Sequence, residues 1–176
     1  YLGDIHSSAR HLLEIINEVL DMSKIEAGRV DLDEHETDLR PLFETVGRMI
    51  AARATELNLS VTLQVDPDVP YLYVDPRLTR QILLNLATNA VKFSNPGGRI
   101  DMRAFMDAKS GGVRIIVSDN GIGIPKDRIK IAMEPFGQVS DSVVVRGMQG
   151  TGLGLPLARA MVELHGGTLA LESEQG

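Results

Sequence analysis

Apolar residues near the start of the chain recur at Ile5, Ala9, Leu12, Ile16 and Val19, in alternating steps of four and three. That is the spacing of a helix–helix seam, and it predicts one long helix from Leu2 to about Ala27. Leu13 and Leu20 widen the stripe beyond what one helix can bury alone, so a partner helix or a second chain is required. Gly28 stands where helices commonly end. Residues 30–38 are polar and predicted to be extended. A second amphipathic helix is predicted from about Leu39 to Leu57, with Leu42, Val46, Met49, Ile50 and Arg53 at helical steps. Leu59, Val61, Leu63 and Val65 then alternate as a half-buried strand. Pro67 and Pro70 break it, and Leu72 to Val74 forms another short strand. Asp75-Pro76 supplies the cap and first-turn proline of a helix running through Ile82, Leu83, Leu86, Ala90 and Phe93. Asn95-Pro96-Gly97-Gly98 stops that helix.

Two strands follow, near Arg99–Met106 and Val113–Ser118, joined by a turn over Lys109-Ser110-Gly111-Gly112. The stretch from Asn120 to Gly150 is rich in glycine and proline and too long for an ordinary connection, which marks it as a lid or an irregular segment. A last helix is predicted from about Thr151 to His165, ended by Gly166-Gly167, with a strand over Thr168–Glu172. The pattern predicts an α+β fold: a two-layer sandwich in which a mixed, mostly antiparallel sheet carries helices on one face, preceded by the long helix. Residues 1–28 form one unit and residues 29–176 the other.

Apolar residues make up 43% of the chain and charged residues 24%, enough for a buried core and against disorder. The longest apolar runs, such as Val143–Val145 and Ile115–Val117, are far too short to span a bilayer. Cysteine is absent, which excludes a disulfide framework or a cysteine metal site and fits a cytoplasmic compartment. The net charge of −6 with scattered cations leaves no basic stripe for nucleic acid, so any anionic ligand must be small and held by local groups.

Four short motifs carry the candidate chemistry. Asn85 and Asn89, four residues apart, share one helical face, with Lys92 close to it. Amide oxygens and an ammonium on one stripe suit a magnesium-bound polyphosphate, although solvated polar positions on an amphipathic helix would look the same. The second motif, Asp119-Asn120-Gly121-Ile122-Gly123-Ile124, follows a strand whose Val113, Ile115 and Val117 share a face that Asp119 extends. Its carboxylate is therefore expected to point to the apolar side, where a ligand amine would offset the cost of burial. Gly121 and Gly123 would give positive φ angles and close backbone approach; an Asx turn is the plain alternative. The third, Glu134-Pro135-Phe136-Gly137-Gln138, offers an aromatic that either docks a lid or merely packs a loop. The fourth, Gly150-Thr151-Gly152-Leu153-Gly154-Leu155, opens the last helix, where unpaired N–H groups and the helix dipole favour an anion. Neither the Walker pattern nor the dinucleotide fingerprint fits this spacing.

In order and spacing, Asn85…Asn89-x-x-Lys92-Phe93, Asp119-x-Gly121-x-Gly123, Phe136 and Gly150-x-Gly152-x-Gly154 resemble the N, G1, F and G2 boxes of bacterial sensor histidine kinases. The resemblance covers nearly the whole chain. It implies the Bergerat ATP-binding sandwich, with ATP and Mg2+ as ligands and an ATP lid at about 120–150. By resemblance, Asn89 holds the metal beside Asn85, Lys92 reaches the phosphates and Phe93 lines the purine. Asp119 reads the adenine amine, and Gly121, Gly123 and Ile124 shape the ring pocket. The resemblance also counts Phe136 of the F box and Arg146, which would add charge in the lid, among the nucleotide-site residues, and Gly150, Thr151, Gly152, Leu153 and Gly154 would meet the phosphates. ATP-hydrolysing relatives carry a glutamate where Asn85 stands, and an amide cannot act as their general base. The resemblance thus implies transfer of the γ-phosphoryl to a protein side chain.

The long first helix, ending Ser23-Lys24-Ile25-Glu26-Ala27-Gly28-Arg29, is similar to the second helix of the family's dimerisation and phosphotransfer hairpin, and Gly-Leu-Gly-Leu-Pro points to alphaproteobacterial members. The acceptor histidine belongs to the hairpin's first helix and is expected outside these residues. His35-Glu36-Thr37-Asp38-Leu39-Arg40-Pro41-Leu42 imitates its motif but carries extra residues and follows the hairpin. The implied partners are a phosphoacceptor helix of the same or a partner subunit, a response regulator receiver domain, and a second copy joined through the hairpin. The implied whole is a cytoplasmic kinase domain in a protein that can itself be membrane-anchored. A pseudokinase that docks signalling partners without catalysis is the alternative, and an ATP-driven clamp a third class.

Overall fold

The computed structural model describes residues 2–137 and 151–174. Helix α1 (Leu2–Glu26) ends at Gly28, whose φ of 62° is the left-handed turn glycine accepts without strain. The polar stretch after it contains β1 (His35–Thr37), paired antiparallel with β3 (Leu72–Val74) through His35 opposite Val74. Asp38 caps α2 (Leu39–Glu56) by accepting the Arg40 N–H at 3.0 Å.

The buried face of α2 is Leu39, Phe43, Val46, Ile50 and Ala54. Two positions expected on it, Met49 and Arg53, lie off it, and Met49 is 55% exposed. Phe43, wholly enclosed, is the largest side chain that the helix offers the sheet, and its row sets which face turns inward.

Strands β2 (Ser60–Val65), β4 (Arg99–Met106) and β5 (Val113–Asp119) form a mixed sheet in the order β2-β4-β5, parallel then antiparallel. β4 is central, and its Ile100, Met102 and Ala104 are fully buried on the face covered by α2 and α3 (Pro76–Phe93). Each of the larger two contributes roughly 1.5–3 kcal/mol of apolar burial. The opposite face carries Arg103 and Ile116 in the open, as expected for a sheet with helices on one side. This is the two-layer α+β sandwich read from the pattern.

The long segment after β5 contains a 3-10 turn (Lys126–Arg128) that leads into a short helix α4 (Ile129–Ala132). One expectation is corrected. Thr168–Glu172 is not a strand. It keeps an alternating exposure through Leu169, Leu171 and Ser173, but no ladder of backbone bonds joins it to the sheet. The residue after it, Ser173, is tied through its side chain, its Oγ accepting the Ile124 N–H at 2.8 Å. Alternation alone does not make a strand where no neighbouring backbone is in register.

Candidate functional site

Helix α3 is the platform. The Asp75 carboxylate accepts the Arg77 and Leu78 N–H groups, and Pro76 stands where a missing N–H costs nothing. Leu83, Ala87, Ala90 and Val91 turn to the core. Asn85 and Asn89 lie on a flank facing the start of α5 (Gly154–Leu164). Asn85 Nδ2 donates to the Gly154 carbonyl at 3.3 Å, which leaves its amide oxygen available. A Cβ built on Gly154 would stand 3.6 Å from Asn89 Nδ2, so the backbone of the glycine loop lies directly against that amide. One turn on, the Lys92 ammonium sits 4.8 Å from the centre of the Phe93 ring. Burial lowers the Lys92 pKa, and the Glu18 carboxylate of α1 works against that shift.

The Asp119 loop is stitched to the end of the same helix. Ile122 N–H donates to the Phe93 carbonyl at 3.1 Å, and Asp119 Oδ1 accepts the Gly121 N–H at 2.8 Å. A Cβ on Gly121 would come within 2.1 Å of the Phe93 carbonyl oxygen, so only glycine permits this approach. Gly123 is the member of the pair with a positive φ, 66°, whereas Gly121 is required for space alone. Asp119 is exposed rather than buried. It follows Val113, Ile115 and Val117, which are partly covered, but α3 ends at Phe93 and does not extend over the last residue of β5. The carboxylate therefore lies at the rim of the covered face.

The glycine-rich motif closes the other side. No side chain caps α5, Thr151 Oγ1 takes the Leu153 N–H at 3.1 Å, and Leu153 is buried beneath the turn. The positive end of an 11-residue helix thus opens beside Asn85 and Asn89. Phe136 docks on this turn through its backbone, its N–H donating to the Gly152 carbonyl at 3.1 Å. Its φ of 62° is unusual for an aromatic residue, and its side chain is 62% exposed. A cavity of about 110 Å3 separates Pro135, Phe136 and Leu153 from Val19, Met22 and Glu26 of α1. Three of the motifs therefore meet along the C-terminal half of α3, and the fourth, at Phe136, joins them through Gly152. Arg146 and Gly150, with the lid stretch 138–150, lie outside the described residues.

Oxygen donors, a helix N-terminus and glycine backbone at one end, with an exposed carboxylate at the other, fit a metal-bound polyphosphate carrying a base. Among the described residues no group of three histidines or carboxylates could hold a metal unaided. A hard cation here would take its ligands from amide oxygen and phosphate together.

One cluster escaped the sequence reading. Asp75 is fully buried, and its carboxylate also accepts the Arg77 guanidinium at 2.8 Å and the Asp33 N–H at 3.2 Å. Burial pushes its pKa up, but the Arg77 guanidinium and the N–H groups of Asp33, Leu78 and Arg77 outweigh it and hold the carboxyl at about 2. Its own N–H donates to His165 Nε2 at 3.1 Å. The sequence pattern marks His165 only as the end of the last helix. Asp-Pro at a helix start signals a cap and nothing more, so this reach over 90 residues had no local trace.

The profile of the histidine kinase-, DNA gyrase B- and HSP90-like ATPases matches residues 74–176. The chain belongs to that family. Within it, the chain is the ATP-binding catalytic domain of a bacterial sensor histidine kinase. It is 42% identical over 180 residues to the circadian input-output histidine kinase CikA of Synechococcus elongatus, covering all of this chain and 23% of that protein. It is 36% identical over 176 residues to the histidine protein kinase DivJ of Caulobacter vibrioides, covering all of this chain and 29% of DivJ. The Caulobacter relative fits the alphaproteobacterial spelling. Among solved structures, full-length ShkA in complex with AMPPNP superposes with a TM-score of 0.86 at 30% identity, over all of this chain and 36% of ShkA. The histidine kinase domain described here thus spans a third or less of the curated relatives it matches. No helix among its described residues is long and apolar enough to cross a membrane.

Proposed function

We propose that this chain binds Mg-ATP across α3, and that in the full protein it passes the γ-phosphoryl to a histidine lying outside these residues. The observation that carries this is the convergence of Asn85, Asn89, the Asp119 loop and the Gly152–Gly154 turn on one end of one helix. In this reading Asp119 accepts the adenine amine, Phe93 and Ile124 line the ring, and Gly121 and Gly123 keep the backbone close to it. Asn89, with Asn85 beside it, holds magnesium. Lys92 and the N–H groups from Gly150 to Gly154, Thr151 and Leu153 included, bind the phosphates, and Phe136 anchors a lid to which Arg146 lends charge. Magnesium, when bound, neutralises charge on the transferring phosphoryl group.

The histidine nitrogen attacks the γ-phosphorus as its bond to the ADP oxygen breaks, so the domain's contribution is alignment and charge neutralisation. Asn85 cannot draw a proton from water, which disfavours hydrolysis. The acceptor helix comes from the same or a partner subunit, a receiver domain takes the phosphoryl onward, and α1 joins two copies as part of a hairpin. Residues 1–28 and 29–176 are the two units, and the domain works in the cytoplasm. The test supplies the missing helix: the chain, a hairpin bearing a histidine, and ATP labelled on its γ-phosphate. The label is expected on the histidine. Label released only as free phosphate would overturn the transferase reading in favour of a hydrolase, and label left on ATP would favour a docking module.

A further inference from the structure

Helices α3 and α5 run antiparallel and are joined by polar contacts at both ends. At one end Asn85 Nδ2 meets the Gly154 carbonyl at 3.3 Å. At the other, the Asp75 N–H meets His165 Nε2 at 3.1 Å. Between them α5 turns its buried Leu157, Ala158 and Met161 inward. Apolar packing is non-directional and leaves a pair of helices some freedom to slide or roll. A single directional polar contact is the usual means of fixing register in such an interface.

His165 is built for that task. Its Nε2 must carry a lone pair to accept the Asp75 N–H, which puts the ring proton on Nδ1, and Nδ1 donates to the Met161 carbonyl at 2.7 Å. Both ring nitrogens are therefore committed, and the ring cannot turn without losing two bonds. Asp75 is equally fixed. It is fully buried, its carboxylate binds the Arg77 guanidinium and three backbone N–H groups, and its carbonyl accepts both the N–H and the hydroxyl of Thr79.

We infer that His165 is a positioning residue for the nucleotide site: through Asp75 it sets the register of α5 on α3, and so the gap between Asn85, Asn89 and the Gly152–Gly154 turn. His165 lies about 16 Å along α5 from Gly154 and, among the described residues, touches none of the proposed phosphate contacts, so an effect on binding must travel through the helix. The inference rests on the reading that this gap holds the triphosphate. If so, loss of the bond should weaken recognition at the phosphate end more than at the adenine end.

The test compares the intact chain with His165→Ala and His165→Gln, measuring the affinity of each for Mg-AMPPNP and for ADP alongside its melting temperature. In the glutamine variant an amide oxygen can again accept from Asp75. His165→Ala is expected to bind Mg-AMPPNP about tenfold more weakly, with ADP weakened less than about threefold, a selectivity loss of roughly 0.7–1.4 kcal/mol. His165→Gln is expected to recover most of the AMPPNP-to-ADP ratio. A purely structural role would lower the melting temperature and leave that ratio unchanged, and that result would overturn the inference. Should the alanine variant not fold, His165→Met, which keeps the volume without the acceptor, takes its place under the same criterion. If the unaltered chain does not bind Mg-AMPPNP, the underlying functional reading fails first, so the two failures are distinguishable.

Discussion

Asp119 and Gly121 show how much the proposed site depends on single atoms. Asp119 is exposed and touches the chain through the Gly121 N–H, so Asp119→Ala should alter folding stability by less than about 1 kcal/mol. Loss of its bond to adenine should cost nucleotide affinity about tenfold to a hundredfold. A melting curve and a competition titration measure the two effects separately; a change in stability with unchanged affinity would remove Asp119 from the site. Gly121 behaves in the opposite way. A methyl group there meets the Phe93 carbonyl at 2.1 Å, and backbone cannot yield as a flexible side chain does. Gly121→Ala is expected to destabilise the chain by about 1–3 kcal/mol in chemical denaturation, and to weaken nucleotide binding as the loop moves off α3. Asn85 makes a third prediction. With no carboxylate in its place, phosphate release from ATP by this chain alone should stay at background in a coupled assay.

Helices and strands with a strong period were legible because one face of each is buried. α2, α3, β4 and β5 fall where the alternation of side chains placed them. The failures have physical causes of another kind. Which rows of α2 turn inward depends on Phe43 fitting the sheet, a tertiary fact that step counting misses. Thr168–Glu172 alternates as a strand does but lacks a backbone in register with it. The glycines marked where chain and ligand could approach, yet the reason for Gly121 is the Phe93 carbonyl, invisible without coordinates. Asp75 was legible as a cap, but not as a buried junction of Asp33, Arg77 and, through its N–H, His165. That junction gives α3 a pH dependence of known sign. The folded-state pKa of about 2 is below the ordinary value of 3.8, so the carboxylate adds stability that is fully present above about pH 4. As pH falls toward 2, that contribution, about 2 kcal/mol, is lost. Asp75→Asn should flatten the acid limb of the stability curve in this window, as followed by circular dichroism.

At the scale of the whole molecule, α1 meets the sandwich on one side, where Val19, Met22 and Glu26 face Pro135, Phe136 and Leu153, and leaves another side open. Leu12, Leu13, Ile16 and Leu20 are between 44% and 61% exposed, a contiguous apolar face that a folded domain seldom leaves to water. Under the proposed arrangement a second hairpin helix covers it. A longer version of the protein that includes the preceding helix should therefore be a dimer by light scattering, whereas residues 29–176 alone should be monomeric and still bind nucleotide. The most direct test of the account as a whole is calorimetric titration of the chain with Mg-AMPPNP. The account predicts saturable binding of one nucleotide per chain, weakened strongly by Asn89→Ala when magnesium is present and much less when it is withheld. Absence of saturable binding, or equal binding by the Asn89 variant with and without magnesium, would contradict it.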